Sequence, residues 1–242
     1  RDDVESRGLG DVYKRQDLSR YKLIVVPALY SASKEETERL NDFVANGGHV
    51  VYTFRSGFTD ENVKVHPIRQ PAPFRKQVGA SYQQFTAIDK IPLKSKKLKT
   101  PGADLAFDSW IELMMPEGAE VWATYDSPYW GEYAAITHHK SGRGAVTYIA
   151  GNPTPALTRE LLQTACAEAG ITRPPVDAEF PVVVRSGINE QGRNVHFLLN
   201  YSGKPAVCTY QFKSGRDLLT GKRIATGEQV EIPAWDLYIV EE

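Results

Sequence analysis

From Tyr21 onward the apolar and polar positions fall into a regular order. Lys22-Leu23-Ile24-Val25-Val26-Pro27-Ala28-Leu29 is a nearly unbroken apolar run rich in β-branched residues. Such a run predicts a strand buried on both faces, as in a parallel sheet held between helices. Ser33-Lys34-Glu35-Glu36 follows, a serine N-cap with a glutamate three positions on, the reciprocal capping pattern. Leu40, Phe43 and Val44 share one face of the helix so started, and Gly47-Gly48 stops it. Residues 49–54 then give a second buried strand. Strand, helix and strand with short connections make a βαβ unit.

The middle of the chain is less regular. Residues 73–79 predict a short helix closed by Gly79, and the lysine-rich stretch 90–99 reads as a solvated excursion. Strands are predicted at 110–114, 120–125, 134–139 and 145–150, the last after the turn Ser141-Gly142-Arg143-Gly144. Thr154 caps a further helix with Pro155 at its first position. Leu157, Leu161, Leu162 and Ala165 line its apolar face and Gly170 ends it. Thr172-Arg173-Pro174-Pro175 reads as a linker between a domain over 17–173 and a second over 174–242. In the second, short strands at 182–185, 194–199, 206–212 and 237–240 predict a small antiparallel β domain.

The composition agrees with folded domains. Hydrophobic residues make up 41% of the 242 and charged residues 24%, close to globular averages. A net charge of −1 gives no basis for a nucleic-acid or anionic-membrane partner. No apolar run is long enough to span a bilayer. Cys166 and Cys208 are too few for a disulfide framework and lack metal-site spacing, so a cytoplasmic setting is expected. Residues 1–16 are charged and unpatterned. Their end, Gly10-Asp11-Val12-Tyr13-Lys14-Arg15-Gln16, is similar to translated sequencing-adapter read-through, and the segment is set aside as a non-native or disordered tail.

Catalytic chemistry is hard to find. Asp60, Glu61, Asp108, Glu112, Glu117, Glu120 and Asp126 offer carboxylates, but no motif sets a pair of them apart, and all read as solvated groups or caps. No glycine-rich dinucleotide fingerprint follows the first strand and no P-loop occurs, so no cofactor is expected. Cys166 lies late in a helix rather than on a strand-to-helix elbow, which argues for packing over nucleophilic catalysis. His138 and His139 point to opposite faces of a strand and cannot both ligate one metal, so no metal site is expected. One loop stands out, Arg55-Ser56-Gly57-Phe58-Thr59-Asp60-Glu61-Asn62, at the carboxyl end of the second strand. Open α/β sheets place functional loops there, yet Asp60 or Asn62 capping nearby backbone N–H groups explains it equally well. Trp122, Tyr129, Trp130 and Tyr133 supply aromatics, of which Tyr129-Trp130 is a candidate sugar-stacking pair.

Beside this reading stands a resemblance. The series Asp17-Leu18-Ser19-Arg20-Tyr21-Lys22-Leu23-Ile24-Val25-Val26-Pro27, Phe43-Val44-Ala45-Asn46-Gly47-Gly48 and Ser56-Gly57-Phe58-Thr59-Asp60-Glu61-Asn62 resembles the trimerisation domain of glycoside hydrolase family 42 β-galactosidases. Pro73-Phe74-Arg75, Glu117-Gly118-Ala119-Glu120-Val121 and Gly142-Arg143-Gly144-Ala145 continue it. Phe197-Leu198-Leu199-Asn200-Tyr201 and Asp217-Leu218-Leu219-Thr220-Gly221 are similar to the family's terminal β domain. The resemblance implies a flavodoxin- or class I glutamine amidotransferase-like α/β domain, truncated at its start, followed by the small β domain. It also implies a catalytic barrel elsewhere in the same polypeptide, which carries the two catalytic glutamates, and homotrimer assembly. This chain is then expected to hold no catalytic residue and to meet a galactoside substrate only through the intact enzyme. Arg55, Ser56, Gly57, Asp60, Glu61, Asn62, Phe74 and Arg75 become candidates for an interface or a structural loop. The missing initial strands predict an exposed edge at residues 22–29 and poor solubility. A free-standing amidotransferase-like hydrolase and a carbohydrate-binding module are the other readings.

Overall fold

The computed structural model describes residues 17–102, 104–171 and 178–242; residues 1–16 and the predicted linker lie outside the described residues. The chain divides into two compact units, Arg1–Thr172 and Arg173–Glu242.

The first unit opens with the expected βαβ elements, β1 (Leu23–Val26), α1 (Lys34–Ala45) and β2 (His49–Thr53). The capping box is complete: Ser33 Oγ accepts from the Glu36 N–H at 3.2 Å, and Glu36 Oε2 accepts from the Ser33 N–H at 2.9 Å. Such a cap is worth about 1 kcal/mol. A short α2 (Arg75–Val78) ends at Gly79, whose φ of 62° is the left-handed stop expected of glycine. Seven strands follow: β3 (Ala80–Ser81), β4 (Phe85–Lys94), β5 (Ala106–Glu112), β6 (Met115–Pro116), β7 (Glu120–Tyr125), β8 (Ala134–Ser141) and β9 (Gly144–Ile149). After them come β10 (Gly151–Pro153) and α3 (Pro155–Glu168), the latter capped by Thr154 as its sequence predicts.

The main sheet has eight strands in the order β1-β2-β9-β8-β7-β4-β5-β10. Only β1, β2 and β9 run parallel; every other join is antiparallel. The α/β domain is therefore mixed. Ala150 alone separates β9 from β10, yet these strands stand third and last in the order. One residue spans only about 4 Å, so the sheet must curl back on itself into a half-barrel. Alternation along β2 assigns its two faces. Val50 and Tyr52 join Leu40, Phe43 and Val44 of α1, whereas Val51 joins Leu157, Leu161 and Ala165 of α3. Each such large apolar side chain contributes roughly 1.5–3 kcal/mol by leaving water.

The stretch 90–99 departs from expectation. Its first half belongs to β4, where Ile91 and Leu93 are buried and Lys90 and Lys94 are exposed. The lysines are the outward positions of an amphipathic strand rather than a solvated excursion, because the period of two puts every second residue on the core face.

The second unit is wholly β among its described residues. It contains β11 (Val182–Ile188), β12 (Asn194–Asn200), β13 (Ala206–Thr209), β14 (Gly215–Asp217), β15 (Arg223–Ile224), β16 (Gln229–Ile232) and β17 (Leu237–Glu241). A five-stranded antiparallel sheet, β11-β12-β17-β14-β15, is accompanied by the pair β13-β16. Leu198, Cys208, Tyr210, Val230 and Val240 fill its core. Strands β14, β15 and β16 are only two to four residues long, too short for a period to stand out in sequence. Asp217 is 1% exposed, and its carboxylate accepts from the N–H groups of Thr220 and Ile239 at 2.9 Å each, which fixes the turn after β14.

Strand β1 pairs with β2 alone among the described residues and forms one end of the sheet. The double burial expected of its run is incomplete for that reason. Leu23 and Ile24 pack only partly on opposite cores, and Val25 is 43% exposed. An open apolar edge templates strand addition, and an edge lysine blunts it. Val25→Lys is predicted to lower light scattering on heating while leaving the unfolding free energy within about 0.5 kcal/mol. Unchanged scattering would show that the edge does not drive aggregation.

Candidate functional site

The 55–62 loop leaves the carboxyl end of β2 and is stitched to the segment that follows β1. The N–H groups of Gly57, Phe58 and Thr59 donate to the carbonyls of Leu29, Tyr30 and Tyr30 at 2.7, 3.1 and 2.9 Å. Ser56 is fully buried; its hydroxyl donates to the Thr53 carbonyl at 2.7 Å and accepts from the Leu29 N–H at 3.3 Å. Gly57 has φ 68°, and a Cβ there would meet the Phe74 ring at 2.8 Å. Asp60 Oδ1 accepts from the N–H groups of Asn62 and Lys64, both at 2.9 Å, so the capping reading of Asp60 describes its geometry. Glu61 and Asn62 are exposed.

Arg55 is the pivot of this loop. Its backbone has φ 62°, a left-handed conformation that is uncommon outside glycine. Its guanidinium lies between two aromatic faces, 4.9 Å from the Tyr30 centroid and 4.8 Å from that of Trp110. Phe85 stacks on Trp110 at 4.8 Å, and Phe58 meets Tyr30 at 5.3 Å and Phe85 at 5.8 Å. The Arg55 N–H donates to Glu112 Oε1 at 2.7 Å. The Tyr148 hydroxyl donates to Glu112 Oε2 at 2.8 Å, and that of Tyr125 to the Glu112 carbonyl at 2.7 Å.

Glu112 is 0% exposed, which overturns its reading as a solvated carboxylate. The reason is the strand register: Ile111 and Leu113 on either side are buried too, where the curled sheet closes over β5. Burial pushes the carboxyl up to about 7, against the opposing pull of the Arg55 N–H and the Tyr148 hydroxyl. A single charge inside Trp110-Ile111-Glu112-Leu113-Met114 was the signal available in sequence.

The other candidates lie in plainer surroundings. Phe74 is fully buried and stacks on Tyr52 at 4.5 Å. Arg75 grips Glu117 through Nε and Nη2 at 2.7 and 2.8 Å, and Ser81 donates to the same carboxylate at 2.6 Å. The Arg75 guanidinium, opposed in part by burial and joined by Ser81, holds Glu117 below the usual carboxylate range. Tyr129 is 81% exposed, whereas Trp130 packs partly on the core, so the pair does not present two free faces. Cys166 is partly exposed on α3 and Cys208 is buried.

Histidine chemistry arises where sequence reasoning had not looked. His138 stacks on Trp122 at 4.7 Å while His139 Nδ1 bonds the Gln77 carbonyl at 2.8 Å, on different neighbours. The partner of His138 is instead His49, two strands away, with Thr147 between them and Glu168 beside them. Burial holds both imidazoles down to about 4, so they are neutral.

An apolar rim borders the loop. Val63, Val65, Ile68 and Phe85 are 63%, 50%, 59% and 43% exposed, and Val63 holds φ 62°, a strained value for a β-branched residue. Exposed apolar clusters of this kind mark contact surfaces.

Comparison with known proteins gives this surface a context. Residues 11–172 match the model of the β-galactosidase trimerisation domain, and residues 188–242 that of the β-galactosidase C-terminal domain. The chain belongs to glycoside hydrolase family 42. It is similar to β-galactosidase BglY of Alicyclobacillus acidocaldarius, at 31% identity over 94% of this chain and 34% of that protein. Its similarity to β-galactosidase LacA of Lactobacillus acidophilus is 25% over 93% of this chain and 32% of the relative. The crystal structure of a β-galactosidase from Bacillus circulans sp. alkalophilus superimposes with a TM-score of 0.85 at 28% identity, covering 94% of this chain and 34% of that one. The chain thus spans about a third of the length of the curated relatives it matches.

Glu112 yields a prediction with a definite sign. Its folded-state value of about 7 lies above the ordinary 4.5, so the folded state favours the neutral acid. The stability this gives is full below pH 4.5 and is lost as the pH rises through 7. Wild type should lose about 3 kcal/mol more than Glu112→Gln between pH 4.5 and about pH 8 in urea unfolding. Parallel pH profiles for the two proteins would refute this.

Proposed function

We propose that this chain is the assembly portion of a β-galactosidase. In that enzyme it forms a homotrimer and leaves the hydrolysis of terminal non-reducing β-D-galactosides to a catalytic barrel on the same polypeptide. The observation that carries the reading is the colinear pair of matches, trimerisation domain followed by C-terminal domain, over both compact units. Residues 17–173 are the assembling domain on this reading and 174–242 the terminal β domain. The parallel part of the sheet, β1, β2 and β9 with α1, is the part that accords with a flavodoxin- or amidotransferase-like domain.

The contact is made by the face around the 55–62 loop. Val63, Val65, Ile68 and Phe85 supply apolar area, with Arg55, Asp60, Glu61 and Asn62 as the polar groups beside them. Phe74 and Arg75 act from behind, one as the floor under Gly57 and the other through Glu117. The enzyme works in the cytoplasm and needs no cofactor from this chain. Among the described residues, Glu112 and Glu117 are each committed to structural partners, which accords with catalytic glutamates lying elsewhere.

Sedimentation equilibrium and a chromogenic β-galactoside assay, run on the Val25→Lys chain to suppress edge association, test this together. The expected result is a species of three times 27.0 kDa with no turnover. A stable 27.0 kDa monomer at micromolar concentration would remove the assembly role, and hydrolysis by the chain would remove its division from the chemistry.

A further inference from the structure

We propose that His49, His138 and Glu168 form a zinc-binding site that ties the end of α3 to the main sheet. The three residues come from β2, β8 and α3, and their ligand atoms all lie within 4.8 Å of one another. Glu168 Oε2 stands 3.9 Å from His49 Nδ1 and 3.6 Å from His138 Nδ1. Two ligands of a tetrahedral zinc ion at about 2.0–2.1 Å are separated by roughly 3.3 Å. The two Glu168 contacts therefore need to close by a few tenths of an ångström and the widest pair, within 4.8 Å, by up to about 1.5 Å, which a rotation of the Glu168 and histidine side chains supplies.

The decisive observation is an orphan. His49 is 3% exposed, and its Nδ1 is buried and makes no well-formed hydrogen bond while it faces Glu168, the Ala165 backbone on the same helix interacting with the ring only weakly. A buried polar atom left without a partner costs about 1–3 kcal/mol, and a metal bond would remove that cost. The other nitrogen of the same ring is already committed. Nε2 lies 2.9 Å from Thr147 Oγ1, and with Nε2 protonated it donates to that hydroxyl and leaves the Nδ1 lone pair free. Metal-bound histidines are held in this way by an acceptor on the far nitrogen.

His138 completes the pair. Its Nδ1 lies 3.1 Å from the Thr147 hydroxyl, which turns away from it when the metal takes that lone pair and continues to accept from His49. Trp122 stacks on the His138 ring at 4.7 Å with an interplanar angle of 11°, which fixes the plane of the imidazole. The two rings are otherwise edge to face at 5.6 Å. Glu168 is 34% exposed, so its carboxylate is free to move inward, and the site stays open to water for a fourth ligand. Two imidazoles and one carboxylate suit zinc among the common divalent ions, since magnesium and calcium prefer all-oxygen shells.

The test uses the 242-residue chain, stripped with a chelator, dialysed against zinc chloride and measured by plasma mass spectrometry, titration calorimetry and thermal melting. The expected result is about one zinc per chain and a raised Tm. Glu168→Gln, which leaves the buried histidines in place, should weaken zinc binding by on the order of tenfold or more, and Thr147→Val by about tenfold through the lost acceptor. Circular dichroism checks that each variant is folded. Failure of the chain to retain zinc, or retention equal in wild type and Glu168→Gln, would overturn the site and assign any bound zinc to other groups, such as the partly exposed His66 or His139.

Discussion

A carboxylate with no exposure holds the most informative loop of this protein. Glu112 closes the curled end of the main sheet and takes the Arg55 N–H at 2.7 Å. That one bond turns the chain out of β2 in a conformation few side chains adopt, and aims the guanidinium between Tyr30 and Trp110. Everything beyond it inherits the direction. The Ser56 and Gly57 anchors, the Asp60 cap and the apolar rim at Val63, Val65 and Ile68 follow from where Arg55 leaves the sheet. Taking an ionised carboxyl out of water is costly, and the Arg55 N–H and the Tyr148 hydroxyl offset that cost only in part, so the folded state favours the neutral acid.

The division between chemistry and architecture runs through the same residues. Strongly perturbed groups such as Glu112, His49 and His138 mark active sites in many enzymes. In this chain they sit under loops and between strands, where they join elements distant in sequence. Arg75 with Glu117 and Asp217 with Ile239 do the same on a smaller scale. If the first unit serves assembly as proposed, it needs a defined surface more than a reactive cleft, and these buried polar joints hold together the strands and turns that carry it.

Much of the fold was legible in the sequence because local physics dictated it. The capping box at Ser33, the proline-led start of α3, the glycine stop after α2 and the apolar strands β1, β2, β8 and β9 each depend on a few adjacent residues. What escaped depends on partners far along the chain. The antiparallel joins of the main sheet cannot be read from its strands one by one, and β14 to β16 are too short to show a period. Lys90 and Lys94 concealed an amphipathic strand because their charge outweighed the alternation of Ile91 and Leu93. At the candidate site the loop was found from its place after β2, but Glu112 was not, since its burial is created by the curl that Ala150 imposes. His138 was weighed only against its neighbour His139, whereas its true companion, His49, lies across an intervening strand.

The claim that the loop face of the first unit is a self-association surface is tested most directly by hydrogen–deuterium exchange at increasing protein concentration. If it is correct, amides between residues 58 and 68 and around Phe85 gain protection in step with assembly, while those of the second unit's outer turns do not. Exchange in the 58–68 segment that stays the same from the dilute to the fully assembled protein would contradict it.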